Sequence, residues 1–190
     1  MQNIYDIIMA RRTVRKFRQD PVKKEILLRL MDAARMAPTG SNKQPLSFGI
    51  ITDKQLCAQI FPNVGWAGYL KGTYTPAESE RPTAYICVFA DEENKGPAET
   101  AAGAAIENIL ILAQAEGLGC CWMGAINRDK IKEIVQAPRE KYLLYLIALG
   151  YPAESPKAVQ YSGDVKYFLD DSKILNVPKK SIKDVLILDK

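Results

Sequence analysis

The segment PAETAAGAAIENILILAQAEGLG constrains the fold more than any other part of the chain. It predicts a helix over roughly residues 97–116, and Gly117 is a natural C-terminal stop. Residues 101–115 are apolar on almost every face, with only three polar positions among them. A helix with one solvent-exposed face has polar residues on that face. This helix must therefore lie at the centre of the core or against a second subunit.

Other segments with helix or strand character alternate along the chain. Amphipathic or β-branched patterns mark each of them. Helices are predicted over 3–12, 23–36 and 128–136, and strands over 46–52, 84–90, 120–126 and 142–151. Such alternation favours an α/β or α+β sandwich. No internal repeat or linker divides the chain, so residues 1–190 are predicted to form a single domain.

The last 38 residues form an unusual tail. Residues 153–190 follow ALGYP, where a compact domain could already end. They are rich in Lys, Asp and Tyr, which favours loops and short elements. Their final stretch, SIKDVLILD, is too apolar to stay free in water. We therefore expect a C-terminal extension that wraps over the body or over a partner chain.

The composition excludes several kinds of chemistry. The chain contains no histidine, which rules out a His-based triad, an imidazole base and a His-ligated zinc site. Its four cysteines, two of them adjacent, show no disulfide or metal spacing and predict reduced thiols in a cytoplasmic protein. The N-terminus lacks the order of a signal peptide, and no apolar run approaches a membrane span. For an enzyme, this elimination favours a bound organic cofactor.

Positive charge is concentrated near the N-terminus. Residues 1–43 hold ten Lys or Arg against four Asp or Glu, and the densest stretch is RRTVRKFR. Three interpretations are open: a nucleic-acid interface, a compact phosphate site and a solvated basic edge. The chain lacks zinc-finger spacing and an aromatic RNA-binding motif, and its remainder is slightly acidic. Five cations within eight residues fit a phosphate site better, so no nucleic-acid partner is expected.

Four short motifs follow one another in a characteristic order. They are RRTVRKF, APTGSNKQPLSF, GLGCCWMG and IALGYP. In this order and spacing, from Arg11 to about Lys183, they resemble the nitroreductase family of flavin enzymes. The resemblance implies an α+β fold with a central mixed or antiparallel sheet flanked by helices. It also implies an intertwined homodimer that binds FMN at the subunit interface.

The first motif would supply residues for the cofactor phosphate. A guanidinium fork matches phosphate oxygens, so Arg11 and Arg12 can grip that group, and Thr13 can add a hydroxyl. In similar proteins the position of Arg15 approaches the N1/O2 edge of the flavin ring. A positive charge there favours the anionic reduced flavin.

The second motif is a loop of small and amide residues after a predicted helix. In similar proteins this loop comes from the partner subunit, where Pro38, Thr39 and Gly40 lie along the ring and the ribityl chain. Asn42 and Gln44 would then fix the loop and the polar edge of the flavin. Small residues suit such a place because the backbone must approach a flat ring closely. An ordinary helix-to-strand turn would explain Pro38 and Gly40 but not the Asn-x-Gln-Pro sequence that follows.

The third motif is expected to cover the other side of the ring. By resemblance, Met123 and Gly124 place backbone N–H groups near flavin N5, and Met stands where some relatives have an acid. Cys120 and Cys121 could suggest a redox dithiol, but adjacent cysteines in an apolar strand favour inert packing. Trp122 is either part of the core or a wall of the cofactor site.

The extension departs from the family pattern. Many relatives end soon after GYP with a basic segment that completes the phosphate site, whereas here a basic pair appears only in NVPKKSI. We expect residues 164–190 to dock across the dimer and to bring Lys179 and Lys180 to the phosphate. A solvated charge pair is the alternative, and a lysine is in any case less directional than an arginine.

The resemblance implies an FMN-dependent oxidoreductase in which flavin N5 is the reacting atom and no side chain is catalytic. NADH or NADPH would reduce the flavin, and a nitroaromatic, quinone or related acceptor would then reoxidise it on the same face. No G-x-G-x-x-G fingerprint opens a helix after a strand, so the nicotinamide would bind loosely. A lid over residues 63–82 would shape the acceptor pocket, in which Trp66, Tyr69 and Tyr74 either stack on a substrate or merely pack.

Two alternatives stay open. The first is other flavin chemistry on the same scaffold, namely dehalogenation, enone reduction or flavin cleavage. The second is a non-enzymatic FMN-binding protein whose extension covers the flavin ring. No metal site and no membrane partner are expected in either case. The alternatives differ in which acceptor, if any, reoxidises the reduced protein.

Overall fold

Four antiparallel strands form the central sheet of the protein. The computed structural model describes residues 3–70 and 72–189, except for the side chains of residues 92, 95 and 97. The strands are β1 (Leu46–Ile51), β2 (Ala84–Asp91), β3 (Gly119–Met123) and β4 (Lys141–Gly150). Their order in the sheet is β1–β2–β4–β3, and each neighbouring pair is antiparallel. The predicted α+β class is confirmed, although β3 ends three residues earlier than the sequence predicts.

Helices cover both faces of this sheet. Within the described residues they are α1 (Ile4–Ala10), α2 (Lys24–Arg35), α3 (Lys54–Ile60), α4 (Lys95–Ala115), α5 (Arg128–Ile134) and α6 (Ile182–Val185). On one face, α2 and α4 pack with alternate residues of β2, such as Ile86 and Val88. On the other face, α3 and α5 pack with the intervening residues Tyr85 and Cys87. A strand covered on both faces has a continuous apolar sequence, which is what β2 shows.

Helix α4 is the central helix that the sequence predicts. Ala98, Ala102, Ile106, Ile109 and Ala113 are completely buried in the cluster that α4 forms with the sheet and α2. Their spacing of three or four residues places them on one face of the helix. The opposite face is only half-buried. The single chain therefore leaves apolar surface of its most apolar helix partly uncovered.

The C-terminal extension forms a second, smaller sheet that the sequence did not predict. Its strands are β5 (Lys157–Gln160), β6 (Phe168–Leu169) and β7 (Leu175–Lys179), in the order β5–β7–β6. Strands β5 and β7 are parallel, and β6 and β7 are antiparallel. Proline lacks the N–H that a sheet needs from a central strand. Pro178 is tolerated in β7 because β6 pairs only with Leu175 and Asn176, which leaves one edge of β7 open at the proline.

The extension packs on residues 63–82, which connect α3 to β2 and are called here the lid segment. Leu175 of the extension is almost fully buried together with Ala67 and Tyr74 of the lid segment. Tyr167 packs at the margin of the same cluster. The extension and the lid segment thus share a small core of their own.

Apolar side chains at both ends of the chain stay exposed. On α1 they are Ile4, Tyr5, Ile8 and Met9. Near the C-terminus they are Ile182, Val185, Leu186, Ile187 and Leu188. Scattered exposed apolar residues are normal, but groups of this kind mark surfaces that bind another molecule.

Candidate functional site

The N-terminal basic segment lies along the edge strand β3. Thr13 forms a parallel bridge with Cys120, and the Val14 N–H donates to the Cys120 carbonyl at 2.9 Å. Gly119 permits this close approach, because a Cβ at that position would lie 2.6 Å from the Val14 Cβ. The two stretches run in the same direction as far as Val14, and from Lys16 to Arg18 the segment pairs instead with residues 151–153.

The first two arginines of this segment are held differently. Arg11 Nε lies 3.4 Å from Glu107 Oε1 on α4, and both side chains are partly exposed. Arg12 turns back onto the chain, where its guanidinium donates to the carbonyls of Arg11 and, at 2.8 Å, Met9. Burial, and then the neighbouring Arg11, lowers the pKa of Arg12. Its Nε is buried without a partner among the described residues, so this end of the segment is incomplete in the single chain.

Arg15 is held at both ends by the extension. Its backbone N–H donates to the Glu154 carboxylate, which also accepts the N–H of Lys16 at 3.1 Å. Its guanidinium carbon lies 4.9 Å from the centre of the Tyr167 ring, a cation–π distance. The second oxygen of Glu154 accepts the hydroxyl proton of Tyr74. Burial, and then this hydrogen bond, raises the pKa of Tyr74 well above its usual value, so Tyr74 stays a donor at neutral pH.

Residues 38–45 form a tight polar loop between α2 and β1. Thr39 Oγ1 accepts the N–H of Gln44 at 3.1 Å, and Gln44 Nε2 donates to the Asn42 carbonyl at 3.4 Å. Ser41, Asn42 and Gln44 have positive φ angles of 52°, 54° and 46°. Such angles cost energy in residues other than glycine and are concentrated at functional sites. The loop is therefore shaped in advance by its own side chains.

This loop borders an open cavity of 710 Å³. The loop residues that line it are Pro38, Thr39, Gly40, Ser41, Lys43, Gln44 and Pro45. Across the cavity lies Thr100 of α4, whereas Arg11 pairs with Glu107 of the same helix. Thr39 and Gln44 of the loop also border a smaller cavity together with Ala105 of α4. Among the described residues, no hydrogen bond or ion pair joins the loop 38–45 to Arg11 or Arg12.

An aromatic surface borders the end of β3. Met123 is buried in the core, whereas Trp122 is 39% exposed and meets Tyr145 edge to face, with ring centres 5.1 Å apart. The Tyr145 hydroxyl donates to the Glu99 carboxylate on α4, which raises the pKa of Tyr145. A Cβ at Gly124 would lie 3.5 Å from the Tyr145 ring. Trp122 and Tyr145 therefore form an exposed wall directly beside the Gly124 backbone.

Four contact residues of this region were missed by the sequence reasoning: Glu99, Tyr145, Glu154 and Tyr167. Their partners lie far away in the chain. Tyr145 and Glu99 are 46 positions apart, and Glu154 and Arg15 are 139 positions apart. No local pattern reports such a pairing. The one available clue is that Glu154 brings an acid directly after the fourth motif, while the first motif is strongly basic.

The four cysteines are buried and free. Burial raises the pKa of Cys120 to about 12 and the pKa of Cys121 to about 11. Neither is a thiolate at neutral pH, and the thiolate is the form that reacts. Packing in the core therefore explains why Cys120 and Cys121 are adjacent, without a redox role.

The three aromatic residues of the lid segment differ in what they expose. Tyr69 is 56% exposed and packs on Tyr167, with ring centres 5.0 Å apart. Trp66 packs on Phe61, with ring centres 5.5 Å apart. Tyr74 is buried. Of the three rings, Tyr69 is the most exposed, Trp66 is partly buried and Tyr74 is buried.

The basic pair of the extension lies at the end of β7. The Lys179 carbonyl accepts the N–H of Tyr161 at 3.0 Å, and Lys180 Nζ lies 5.9 Å from the centre of the Tyr161 ring. Both lysines are exposed. These contacts do not reach Arg11 or Arg12, so the described part of one chain does not join the pair to the first motif.

Within residues 3–70 and 72–189, no group of three or more His, Cys, Asp or Glu residues is placed to hold a metal ion. No helix there is both long and apolar enough to cross a membrane.

Known proteins resemble this chain along most of its length. The sequence pattern of the Nitroreductase family matches residues 8–72 and 73–151, which is more than half of the chain. An Archaeoglobus fulgidus protein, provisionally named NADH dehydrogenase/NAD(P)H nitroreductase, is 26% identical over 162 residues, or 81% of this chain and 88% of that protein. The iodotyrosine deiodinase of Thermotoga neapolitana is 26% identical over 174 residues, or 83% of this chain and 92% of that protein.

A solved structure shows the same fold. It is a protein from Desulfovibrio desulfuricans, provisionally described as a nitroreductase and solved in complex with FMN. The TM-score is 0.70 at 24% identity, and the match covers 100% of this chain and 99% of that chain. At this identity the likeness concerns the fold alone. Because the family pattern matches well over half of the chain, the chain belongs to the nitroreductase family.

Proposed function

We propose that the protein is an FMN-dependent oxidoreductase that uses NADH or NADPH to reduce nitroaromatic, quinone or related acceptors, and that it acts as a homodimer. The observation that carries the proposal is the course of the basic segment along β3. Arg11 and Arg12, which suit a phosphate, directly precede the bridge between Thr13 and Cys120, and Gly124 follows Cys120 at the end of β3. Phosphate, ribityl chain and ring follow one another in the same order in FMN. Membership of the family and the name of the Archaeoglobus relative support the proposal.

The residues present fit FMN in three respects. Arg12 has a buried donor without a partner among the described residues, and the Arg11 guanidinium is partly exposed, so both suit an anion. Trp122 and Tyr145, which meet edge to face, provide partly exposed aromatic surface beside Gly124. The loop 38–45 presents proline and small residues to a cavity that is large enough for a ring system.

When bound, FMN supplies hydride transfer, which couples oxidation of the nicotinamide to reduction of the acceptor. The residues of the chain would bind and orient the cofactor. Arg11 and Arg12 would hold the phosphate, and Arg15 would supply positive charge to the ring. By resemblance, Met123 and Gly124 would offer backbone N–H groups to the ring. No side chain has to transfer a proton, which agrees with a chain that contains no histidine.

A homodimer accounts for three features of the single chain. Among the described residues, no hydrogen bond or ion pair joins the loop 38–45 to Arg11, which pairs instead with Glu107. The outer face of α4 is half-buried, and both chain ends expose apolar side chains. A second copy would cover these surfaces and bring its loop to the arginines. Residues 164–190 would dock across the dimer and offer Lys179 and Lys180 to the phosphate.

Purification and turnover test this proposal directly. We expect a yellow dimer that releases FMN on denaturation. Addition of NADH or NADPH without oxygen should bleach the flavin absorbance, and a nitroarene or a quinone should restore it. A colourless monomer that does not take up added FMN would refute the proposal. A flavoprotein that neither nicotinamide reduces would refute the enzymatic part and favour a non-enzymatic FMN-binding protein.

Reductive dehalogenation is the second candidate, because the Thermotoga neapolitana relative is named an iodotyrosine deiodinase. The exposed Tyr69 ring on the lid segment suits an aromatic acceptor of either kind. Both candidates use the same reduced protein, so one experiment separates them. Dithionite-reduced protein is mixed in turn with iodotyrosine and with a nitroarene. Faster reoxidation with stoichiometric iodide release would favour dehalogenation.

A further inference from the structure

The C-terminal extension contacts Arg15 at two separate points. Glu154, which follows the end of β4 by four residues, accepts the Arg15 backbone N–H. Tyr167, directly before β6, lies against the guanidinium at 4.9 Å. One contact fixes the backbone and the other fixes the far end of the same side chain. An arginine side chain has several rotatable bonds, and these contacts restrict them before any ligand binds.

Tyr167 is itself fixed by the lid segment. The ring centres of Tyr167 and Tyr69 are 5.0 Å apart, with the planes tilted by 54°. The Tyr167 hydroxyl accepts the backbone N–H of Tyr69 at 3.3 Å. The ring also packs against the cluster that contains Ala67, Tyr74 and Leu175. Tyr167 therefore has a defined place between the lid segment and Arg15 and is not an adjustable surface residue.

We infer that Tyr167 is a positioning residue, whose ring holds the Arg15 guanidinium in place for the polar N1/O2 edge of the flavin. The inference rests on the proposed function, because it gives the extension a role at the same site. A cation held at that edge stabilises the anionic reduced flavin more than the neutral oxidised flavin. Tyr167 therefore raises the reduction potential of bound FMN by acting through Arg15.

The test compares three variants of the full-length protein loaded with FMN. Tyr167→Leu removes the ring, and Tyr167→Phe keeps it. Phe168→Leu is the matched control, because Phe168 is the next residue along the chain and its ring is exposed, with no ring contact among the described residues. The dissociation constant of oxidised FMN is measured by fluorescence titration, and the midpoint potential by reductive titration against a reference dye. Circular dichroism checks that each variant is folded.

In Tyr167→Leu the affinity for reduced FMN is expected to fall about threefold to tenfold relative to that for oxidised FMN, which is the range of a cation–π contact. A tenfold change lowers the potential of a two-electron couple by about 30 mV. Tyr167→Phe and Phe168→Leu should keep the wild-type potential. Should Tyr167→Leu fail to fold, Arg15→Lys replaces it, since a lysine keeps the charge but loses the planar contact with the ring. Its potential is expected to fall in the same direction.

A second readout does not need the flavin. In the apoprotein, the NMR signal of the Arg15 Nε–H should be shifted by the Tyr167 ring and should return towards the position of a free arginine in Tyr167→Leu. If Tyr167→Leu binds FMN with an unchanged or raised potential, this inference is overturned but the proposed function is not. An unshifted Arg15 signal in the wild-type apoprotein would overturn the inference as well. A wild-type protein that takes up no FMN would instead overturn the proposed function.

Discussion

Replacement of Arg11 by alanine tests whether the N-terminal segment binds the cofactor phosphate. A charge-assisted hydrogen bond contributes about 1.5–3 kcal/mol. Arg11 already pairs with Glu107 at 3.4 Å, and a partly exposed ion pair of this kind contributes about 0–1 kcal/mol. The phosphate has to compete with this pair, so Arg11 contributes a net of about 0.5–3 kcal/mol. We therefore expect Arg11→Ala to weaken FMN binding by about twofold to 140-fold.

A second substitution is expected to have the opposite effect on FMN binding. Glu107→Gln releases Arg11 from its ion pair and should tighten FMN binding by up to about fivefold. Arg18→Ala is the matched control. Arg18 belongs to the same basic stretch but pairs with Asp20 at 3.1 Å on the surface. Its removal lowers the net charge equally, and solvent and salt screen its long-range effect.

The assay is a fluorescence titration of apoprotein with FMN at fixed ionic strength, with circular dichroism to confirm the fold. Arg11→Ala with an unchanged dissociation constant would refute the reasoning. So would equal weakening by Arg11→Ala and Arg18→Ala, because the segment would then act only as a general positive field.

Three further predictions follow from the geometry. Gly119→Ala places a Cβ 2.6 Å from the Val14 Cβ, so it should loosen FMN and lower the free energy of unfolding by about 1–3 kcal/mol in urea titrations. Gly96→Ala, where the added Cβ meets open space, is the control, and equal effects of the two would contradict the packing argument. Burial holds the pKa values of the four thiols at about 11 or 12, against 9.0 when unperturbed. The unfolded chain therefore releases these protons first, and the free energy of unfolding should fall as pH rises above about 9, by up to about 1.4 kcal/mol per thiol per pH unit. Urea titrations between about pH 8 and pH 10.5 that give a flat profile would contradict this. Replacement of Lys179 and Lys180 by Met should loosen FMN and leave the dimer intact on a sizing column, whereas removal of all residues after position 162 should weaken both. If the truncated chain keeps its flavin and its dimer, the N-terminal arginines alone hold the phosphate.

The elements that the sequence predicted well are those with a continuous or strongly periodic apolar pattern. Helix α4 and strand β2 were placed within two residues of their observed ends, because burial on nearly all sides leaves an unbroken apolar run. The small sheet of the extension gave no such signal. Strand β6 has two residues, β7 contains Pro178, and β5 is mostly exposed. Each of these strands becomes stable only by pairing with another part of the extension.

In the candidate site, too, some residues were predicted from the sequence and others were not. The motifs pointed to Arg11 and Gly124 because residue type and order along the chain carry that information. The contacts that hold Arg15 come from Glu154 and Tyr167, far away in the sequence. Side chains that meet only after folding leave no periodic trace, so sequence reasoning could not find them. For the aromatic residues of the lid segment, the sequence left stacking and packing open, and burial distinguished Tyr69 from the others.

The polar loop 38–45, which the proposed dimer would place in the flavin site of the partner subunit, has a genetic consequence. Each flavin site would take its arginines from one chain and its loop from the other. A chain altered only in the arginines and a chain altered only in the loop would each form two damaged sites in their own homodimers. Mixed and allowed to exchange subunits, they would form heterodimers in which one site has both parts intact and the other has neither. Two inactive alleles would thus complement each other, and with random exchange at equal amounts about a quarter of all sites would recover.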